Sequence, residues 1–186
     1  MASKREKAPY KRMRKIALVI CEGETEVEYL NLIRKWYKSP VRIVSHIEGN
    51  RITQPLIDKH ARELKISPFD KVDTFLMYDM DVPTINDKLM ACKAELLLSN
   101  PCDTLGGQLL HVKDQTSALS STAVIKELKR SAPVWQNYSK AIYTDTQKGF
   151  LREHLDDAIR RAKGLKDFHN PSSRIFKLLD ILEGKA

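Results

Sequence analysis

An unbroken run of five apolar residues, Ile16 to Ile20, three of them β-branched, stops abruptly at Cys21-Glu22-Gly23. A run of that length bounded by a turn signal reads as a β-strand buried on both faces. Such a strand needs cover above and below, which helices on both sides of a sheet supply. From Glu24 the period becomes helical, with Val27, Leu30, Ile33 (or Leu32) and Trp36-Tyr37 spaced three and four apart until Ser39-Pro40.

The unit then repeats. Val41 to Ile47 reads as a second strand, followed by Gly49-Asn50 and a helical stretch over 55–64 with Leu56, Ile57, His60 and Leu64 on one side. A third strand over 73–78 runs into Asp79-Met80-Asp81. A short helix over 85–92 leads to a fourth apolar run, Leu96 to Leu98, ended by Ser99-Asn100-Pro101. This alternation implies right-handed crossovers and an α/β fold, a mainly parallel sheet with flanking helices. Past Leu105 the strand signals fade and helices are expected near 105–112, 121–131, 145–163 and 172–183. In the third of these, Ala158, Ile159, Ala162 and Leu165 form the apolar side and Arg160, Arg161 and Lys163 turn outward. The expected organisation is a basic arm over 1–15, an α/β core over 16–120 and a helical part over 121–186 packed on it. A chain of 186 residues fits one compact domain at roughly 150 residues per domain.

Composition removes several function classes. With 42% hydrophobic and 30% charged residues the chain is neither disordered nor fibrous. No stretch approaches the roughly 20 apolar residues of a spanning helix, and the basic first fifteen residues lack a signal peptide's apolar segment. Cys21, Cys92 and Cys102 form no C-x-x-C pair, which argues against a disulfide framework and a structural zinc site. A reducing cytoplasm is the expected compartment.

The net charge of +8 is distributed unevenly. Residues 1–15 hold seven basic side chains against Glu6, residues 16–120 hold 12 basic and 15 acidic groups, and residues 121–186 hold 13 and 8. A basic arm and a basic C-terminal third flank a slightly acidic body, a pattern that suits a phosphate backbone as partner. Solvated helix faces and a solubilising tail would produce the same counts.

The acidic body concentrates its chemistry at strand ends, where open α/β sheets bind ligands. The first strand delivers Glu22, with Gly23 allowing a sharp turn; the third delivers Asp79 and Asp81. Loop aspartates after a strand also serve as helix N-caps or Asx turns. Three carboxylates in one crevice repel one another unless a divalent cation such as Mg²⁺ lies among them. Such an ion polarises a phosphoryl oxygen and helps make hydroxide from water. Glu24, in the first helical turn, is a further candidate ligand, although the helix dipole alone accounts for it and for Glu26. Ser99 and Asn100 could hold a phosphate or simply cap a helix, and Lys140, in Y-x-K, could offset charge on a phosphate. Gly23, Ser99, Asn100, Arg160, Arg161 and Lys163 make up the candidate phosphate-side set. The five histidines (His46, His60, His111, His154 and His169) form no short ligand motif and read as structural or surface residues.

Taken together, the strand over 16–20 with C-E-G-E-T-E at 21–26 and Tyr29, D-M-D at 79–81, L-L-L-S-N-P-C ending at Cys102, Tyr138 and Lys140 as Y-x-K, A-I-R-R-A-K at 158–163 and N-P-S-S-R-I at 170–175 resemble the RloB-like family in order and spacing. The resemblance implies a Toprim-type fold in which Glu22 acts as general acid or base and possible ligand, while Asp79 and Asp81 bind Mg²⁺ or Mn²⁺. It implies a nuclease acting on DNA or RNA, linked with restriction loci and phage defence and often paired with an ABC or SMC-like ATPase. The chain departs from the family after S-N-P-C. Asp103-Thr104-Leu105-Gly106-Gly107 stand where an aromatic residue, a glutamate and Leu-Trp are usual, so Asp103 occupies a shifted position. Val82-Pro83 follow the D-x-D where many Toprim enzymes have a glycine nearby. A catalytically reduced nucleic-acid-binding or regulatory subunit is the alternative these departures leave open.

Overall fold

The computed structural model describes residues 13–79, 83–97, 121–139, 142–166 and 173–185. The apolar run becomes β1 (Lys15–Cys21), and the alternation continues as α1 (Glu24–Tyr37), β2 (Arg42–Ile47), α2 (Gln54–Glu63), β3 (Lys71–Met77), α3 (Pro83–Met90) and β4 (Glu95–Leu96). The pairings within this sheet are parallel and the strand order is β2-β1-β3-β4. In register, Cys21 stands beside Ile47 on one side and Met77 on the other, so the three strands end level.

Side chains of β1 alternate between two cores, as period-two geometry requires. Ala17, Val19 and Cys21 pack with Tyr29, Leu30 and Ile33 of α1 and with Leu178, Leu179 and Leu182 near the chain's end. Ile16, Leu18 and Ile20 pack with Ile57 and Leu64 beside α2 and with Ile85 and Leu89 of α3. The expected α/β class, a parallel sheet covered on both faces, is the fold observed.

The C-terminal region contributes α4 (Ser121–Ser131), a 3₁₀ turn (Pro133–Trp135), α5 (Asp145–Glu153), α6 (Leu155–Lys163) and α7 (Phe176–Leu182). Val124, Leu128, Trp135 and Leu151 form a satellite core against Leu32 of α1. Thr144 and Gln147 cap α5 reciprocally: the Gln147 N–H donates to Thr144 Oγ1 (3.3 Å) and the Thr144 N–H to Gln147 Oε1 (2.9 Å). The single helix expected over 145–163 is two helices that break at His154, where φ is −99° and ψ 16°. Neither proline nor glycine causes the break. Asp156 and Asp157 favour a new helix N-terminus there, where the macrodipole stabilises negative charge. The segment expected to be helical near 105–112 lies outside the described residues, and the last helix starts at Phe176 rather than near 172.

Leu18→Ala, which empties a fully buried site under α2 and α3, should cost about 2–5 kcal/mol. Met90→Gln, on the exposed side of α3, should stay within about 0.5 kcal/mol. Urea denaturation of the two variants beside the parent checks both values.

Candidate functional site

From β1 the chain goes to one neighbour, β2, then crosses to the other side of β1 to form β3. The strand order therefore reverses between β1 and β3, and the crevice beyond their carboxyl ends is where such sheets bind ligands. Glu22 and Asp79 flank that point. The Glu22 N–H extends the ladder by donating to the Met77 carbonyl (3.1 Å). Its side chain then reaches across, Oε2 accepting the Asp79 backbone N–H at 3.0 Å. Both residues are half-buried. A carboxylate held by a backbone amide is oriented as well as charged.

Gly23 is extended (φ −150°, ψ −168°), a conformation open to any residue, so the expected turn is not what calls for glycine. Close approach does. The Gly23 N–H donates to Glu26 Oε2 (2.9 Å), and a Cβ at position 23 would lie 3.3 Å from that oxygen. Glu26 is buried and closes the first turn of α1, whereas Glu24, two residues earlier in the same turn, is exposed. The two acids at the helix start thus differ: one caps, the other faces water.

A second group of side chains stands at the end of β2. The Glu48 N–H donates to the Cys21 carbonyl (3.1 Å), which extends the sheet one residue past Ile47 and sets Glu48 beside Glu22. Glu48 Oε1 lies 2.7 Å from His60 Nε2, and on the other side of the ring His60 Nδ1 lies 3.6 Å from Glu63 Oε2. His46 stacks on His60 with ring centroids 4.0 Å apart and planes 21° from parallel. Arg51 adds a cation 3.6 Å from Glu48 Oε2. Gly49, at φ +51°, turns the chain here in a conformation that side chains rarely adopt. His60 was expected to be structural or at the surface, and it is buried. The signal for this group lies in the sequence: His46-Ile47-Glu48 places two polar side chains two residues apart at a strand end, as Asp79-Met80-Asp81 does. Just past the end of β3 is Tyr78, a buried residue whose hydroxyl has no hydrogen-bond partner among the described residues. Burial above all, then the Cys21 thiol and the Glu22 and Glu48 carboxylates, pushes its phenol up.

The basic candidates sit elsewhere. Arg160 Nη2 lies 2.6 Å from Asp157 Oδ1. Lys163 lies 3.7 Å from Asp180 and 5.3 Å from the centroid of the Phe176 ring. Asp180 lines a cavity with Val72 and Thr74, in the amino-terminal half of β3, so Lys163 stands toward the other end of the sheet from Glu22. Arg161, expected to turn outward, is half-buried. Asp81, Ser99, Asn100, Asp103 and Lys140 lie outside the described residues.

For a divalent cation, Glu22 and Asp79 offer hard carboxylate oxygens at adjoining strand ends, the donor type that Mg²⁺ and Mn²⁺ prefer. Among the described residues no three His, Cys, Asp or Glu side chains are grouped to hold a metal ion. The pair fits in donor chemistry and awaits a third ligand, the role expected of Asp81. No helix among the described residues is long and apolar enough to cross a membrane.

Burial, followed by the neighbouring His60, holds the His46 imidazole below its ordinary value. As the pH falls past about 6.5, the unfolded chain therefore takes up this proton before the folded one. Stability contributed by neutral His46 is intact above that pH and lost as acid is added. His46→Gln should then lose less Tm than the parent between about pH 7.5 and 5.5, as thermal unfolding followed by circular dichroism would record.

A family model described as RloB-like protein matches residues 17–182, from the second apolar position of β1 to the last residue of α7. No curated protein and no solved structure matches the chain. With the match running through the whole sheet, both strand-end groups and the C-terminal helices, this chain belongs to the RloB-like family.

Proposed function

We propose that this chain is a divalent-metal-dependent nuclease, hydrolysing a phosphodiester of DNA or RNA on a Toprim-like core. The observation that carries the reading is the convergence of Glu22 and Asp79 at the switch point, joined by the 3.0 Å hydrogen bond from the Asp79 amide to Glu22 Oε2. Membership of the RloB-like family supports the wider setting, anti-phage defence in the cytoplasm beside an ABC or SMC-like ATPase.

In this reading Asp79, Asp81 and Glu22 hold Mg²⁺ or Mn²⁺, with Glu24 as an outer candidate. A bound ion would supply Lewis acidity toward a phosphoryl oxygen and acidify the attacking water. Glu22, fixed by the Asp79 amide, either serves as a ligand or takes the proton of that water. Lys140 offsets charge building on the phosphate. Gly23, Ser99 and Asn100 line the phosphate side. The basic arm, Arg160, Arg161 and Lys163 neutralise the backbone further out and carry no sequence information.

Calorimetric titration of Mn²⁺ and Mg²⁺ into the purified chain tests the site directly. The parent should bind, Asp79→Ala/Asp81→Ala should lose affinity by more than about tenfold, and Glu22→Gln should weaken it. Mn²⁺-dependent cleavage of labelled DNA and RNA should disappear in the same variants. A parent that binds nucleic acid equally well in EDTA and takes up no metal would instead identify a binding or regulatory subunit.

A further inference from the structure

If the crevice cleaves phosphodiesters, one task within it is unassigned. A carboxylate that serves as a metal ligand is poorly placed to take the proton of the attacking water as well, and Glu22 has been given both tasks. Glu22 is engaged by the Asp79 amide and stands at the switch point with Asp79. One strand over and level with it is a carboxylate with different surroundings, Glu48. Neighbouring strands are about 4.8 Å apart, so the two carboxylates start from adjacent backbone positions at the same end of the sheet.

Glu48 has the features of a positioned base. It sits at the end of β2, where its backbone N–H is held by the Cys21 carbonyl, and the glycine that follows turns the chain. Its Oε1 is 2.7 Å from a buried imidazole nitrogen. That imidazole, His60, is held from two sides, by the Glu48 hydrogen bond and by the His46 ring stacked on its face, while its Nδ1 has no hydrogen-bond partner among the described residues and Glu63 lies 3.6 Å away. A carboxylate hydrogen-bonded to a packed histidine keeps one orientation, which base catalysis requires. A separate observation points to a ligand in this crevice. The Tyr78 hydroxyl, just past the end of β3, is buried and has no hydrogen-bond partner among the described residues. A buried polar group of this kind is ordinarily satisfied by water or by a substrate oxygen.

We propose that Glu48 is the general base of this site and His60 its positioning residue, leaving Glu22 and Asp79 to bind the metal. The assignment rests on the nuclease reading and divides its labour. In the step, the water oxygen bonds to phosphorus while one of its O–H bonds breaks and the proton passes to Glu48. The P–O bond to the leaving strand breaks, and its oxygen takes a proton from solvent. Glu48 returns its proton to solvent between turnovers, and the unpartnered Tyr78 hydroxyl offers the water a hydrogen bond.

The test uses the full chain with Mn²⁺ and labelled single-stranded and duplex DNA and RNA oligonucleotides, and measures the cleavage rate and Mn²⁺ affinity separately. Glu48→Gln should lower the rate by about a hundredfold, the scale of a lost general base, and leave Mn²⁺ affinity within about twofold. His60→Ala should lower the rate by about tenfold or more, and added imidazole should restore part of it, which a purely structural histidine would not allow. Cleavage by Glu48→Gln at the parent rate overturns the proposal. Loss of Mn²⁺ affinity in Glu48→Gln also overturns it, making Glu48 a ligand and not a base. His60→Ala that is folded by circular dichroism but deaf to imidazole removes the positioning role. A parent that cleaves nothing yet binds Mn²⁺ overturns the base while the metal site stands, and a parent that does neither overturns the nuclease reading as well.

Discussion

β1 is buried on both faces, so its backbone polar groups can be satisfied only sideways, by a strand on each edge. Both neighbours are parallel to it, and parallel neighbours need long crossovers, which here are helical. Placing β2 on one side and β3 on the other then sends α1 to one face and α2 to the opposite face. The crevice is a by-product of this arrangement: where the two connections diverge, the carboxyl ends of β1 and β3 are left open. Because the three strands end level, the residue just past the end of β1 meets a neighbour from each of the other two. Glu48, Glu22 and Tyr78 follow the strand-end trio Ile47, Cys21 and Met77, and Asp79 comes one residue later.

Much of this was legible because it depends on local pattern. Ile16 to Ile20, the i, i+3 spacing of α1 and the repeats that follow specify a covered parallel sheet, and with it the location of Glu22 and Asp79. What could not be read depends on how separate elements meet. The Glu48–His60 pair requires the register of β2 on β1 together with the rotation of α2 about its axis, and single-strand periodicity encodes neither. Gly23 was legible but not the contact it makes, since the oxygen that would crowd a Cβ comes from Glu26 three residues on. The break at His154 was missed because apolar spacing carries on through it, and only the pair of aspartates after it marks a new start.

The basic excess of the C-terminal third also looks different once placed. Arg160 with Asp157, Lys163 with Asp180, and Arg174 and Lys177 with Glu95 spend charge inside the chain. The more exposed of these, Arg160–Asp157 and Lys163–Asp180, are worth about 0–1 kcal/mol each and can be exchanged for a polyanion at little cost, whereas Arg174 is largely buried beside Glu95. A phosphate backbone would meet cations held in place rather than free ones, an arrangement that tempers non-specific binding and leaves it salt-sensitive.

The core on the α1 side contains Leu178, Leu179 and Leu182 beside Ala17, Val19 and Cys21. These residues are separated by some 160 positions in the chain. A ribosome emits β1 long before the leucines that finish covering it, and at about 5–20 residues per second that interval lasts on the order of ten seconds. During this time α1, joined by Leu155 of α6 only toward the end, shelters that side of the sheet, and a greasy strip remains open to other nascent chains and to chaperones. Among the described residues, the core on the face that carries α2 and α3 is drawn from residues 16–96 and can assemble earlier. One side of the same strand is therefore a fast, local structure and the other a late, long-range one, and damage near residue 180 would be felt first as a failure of assembly.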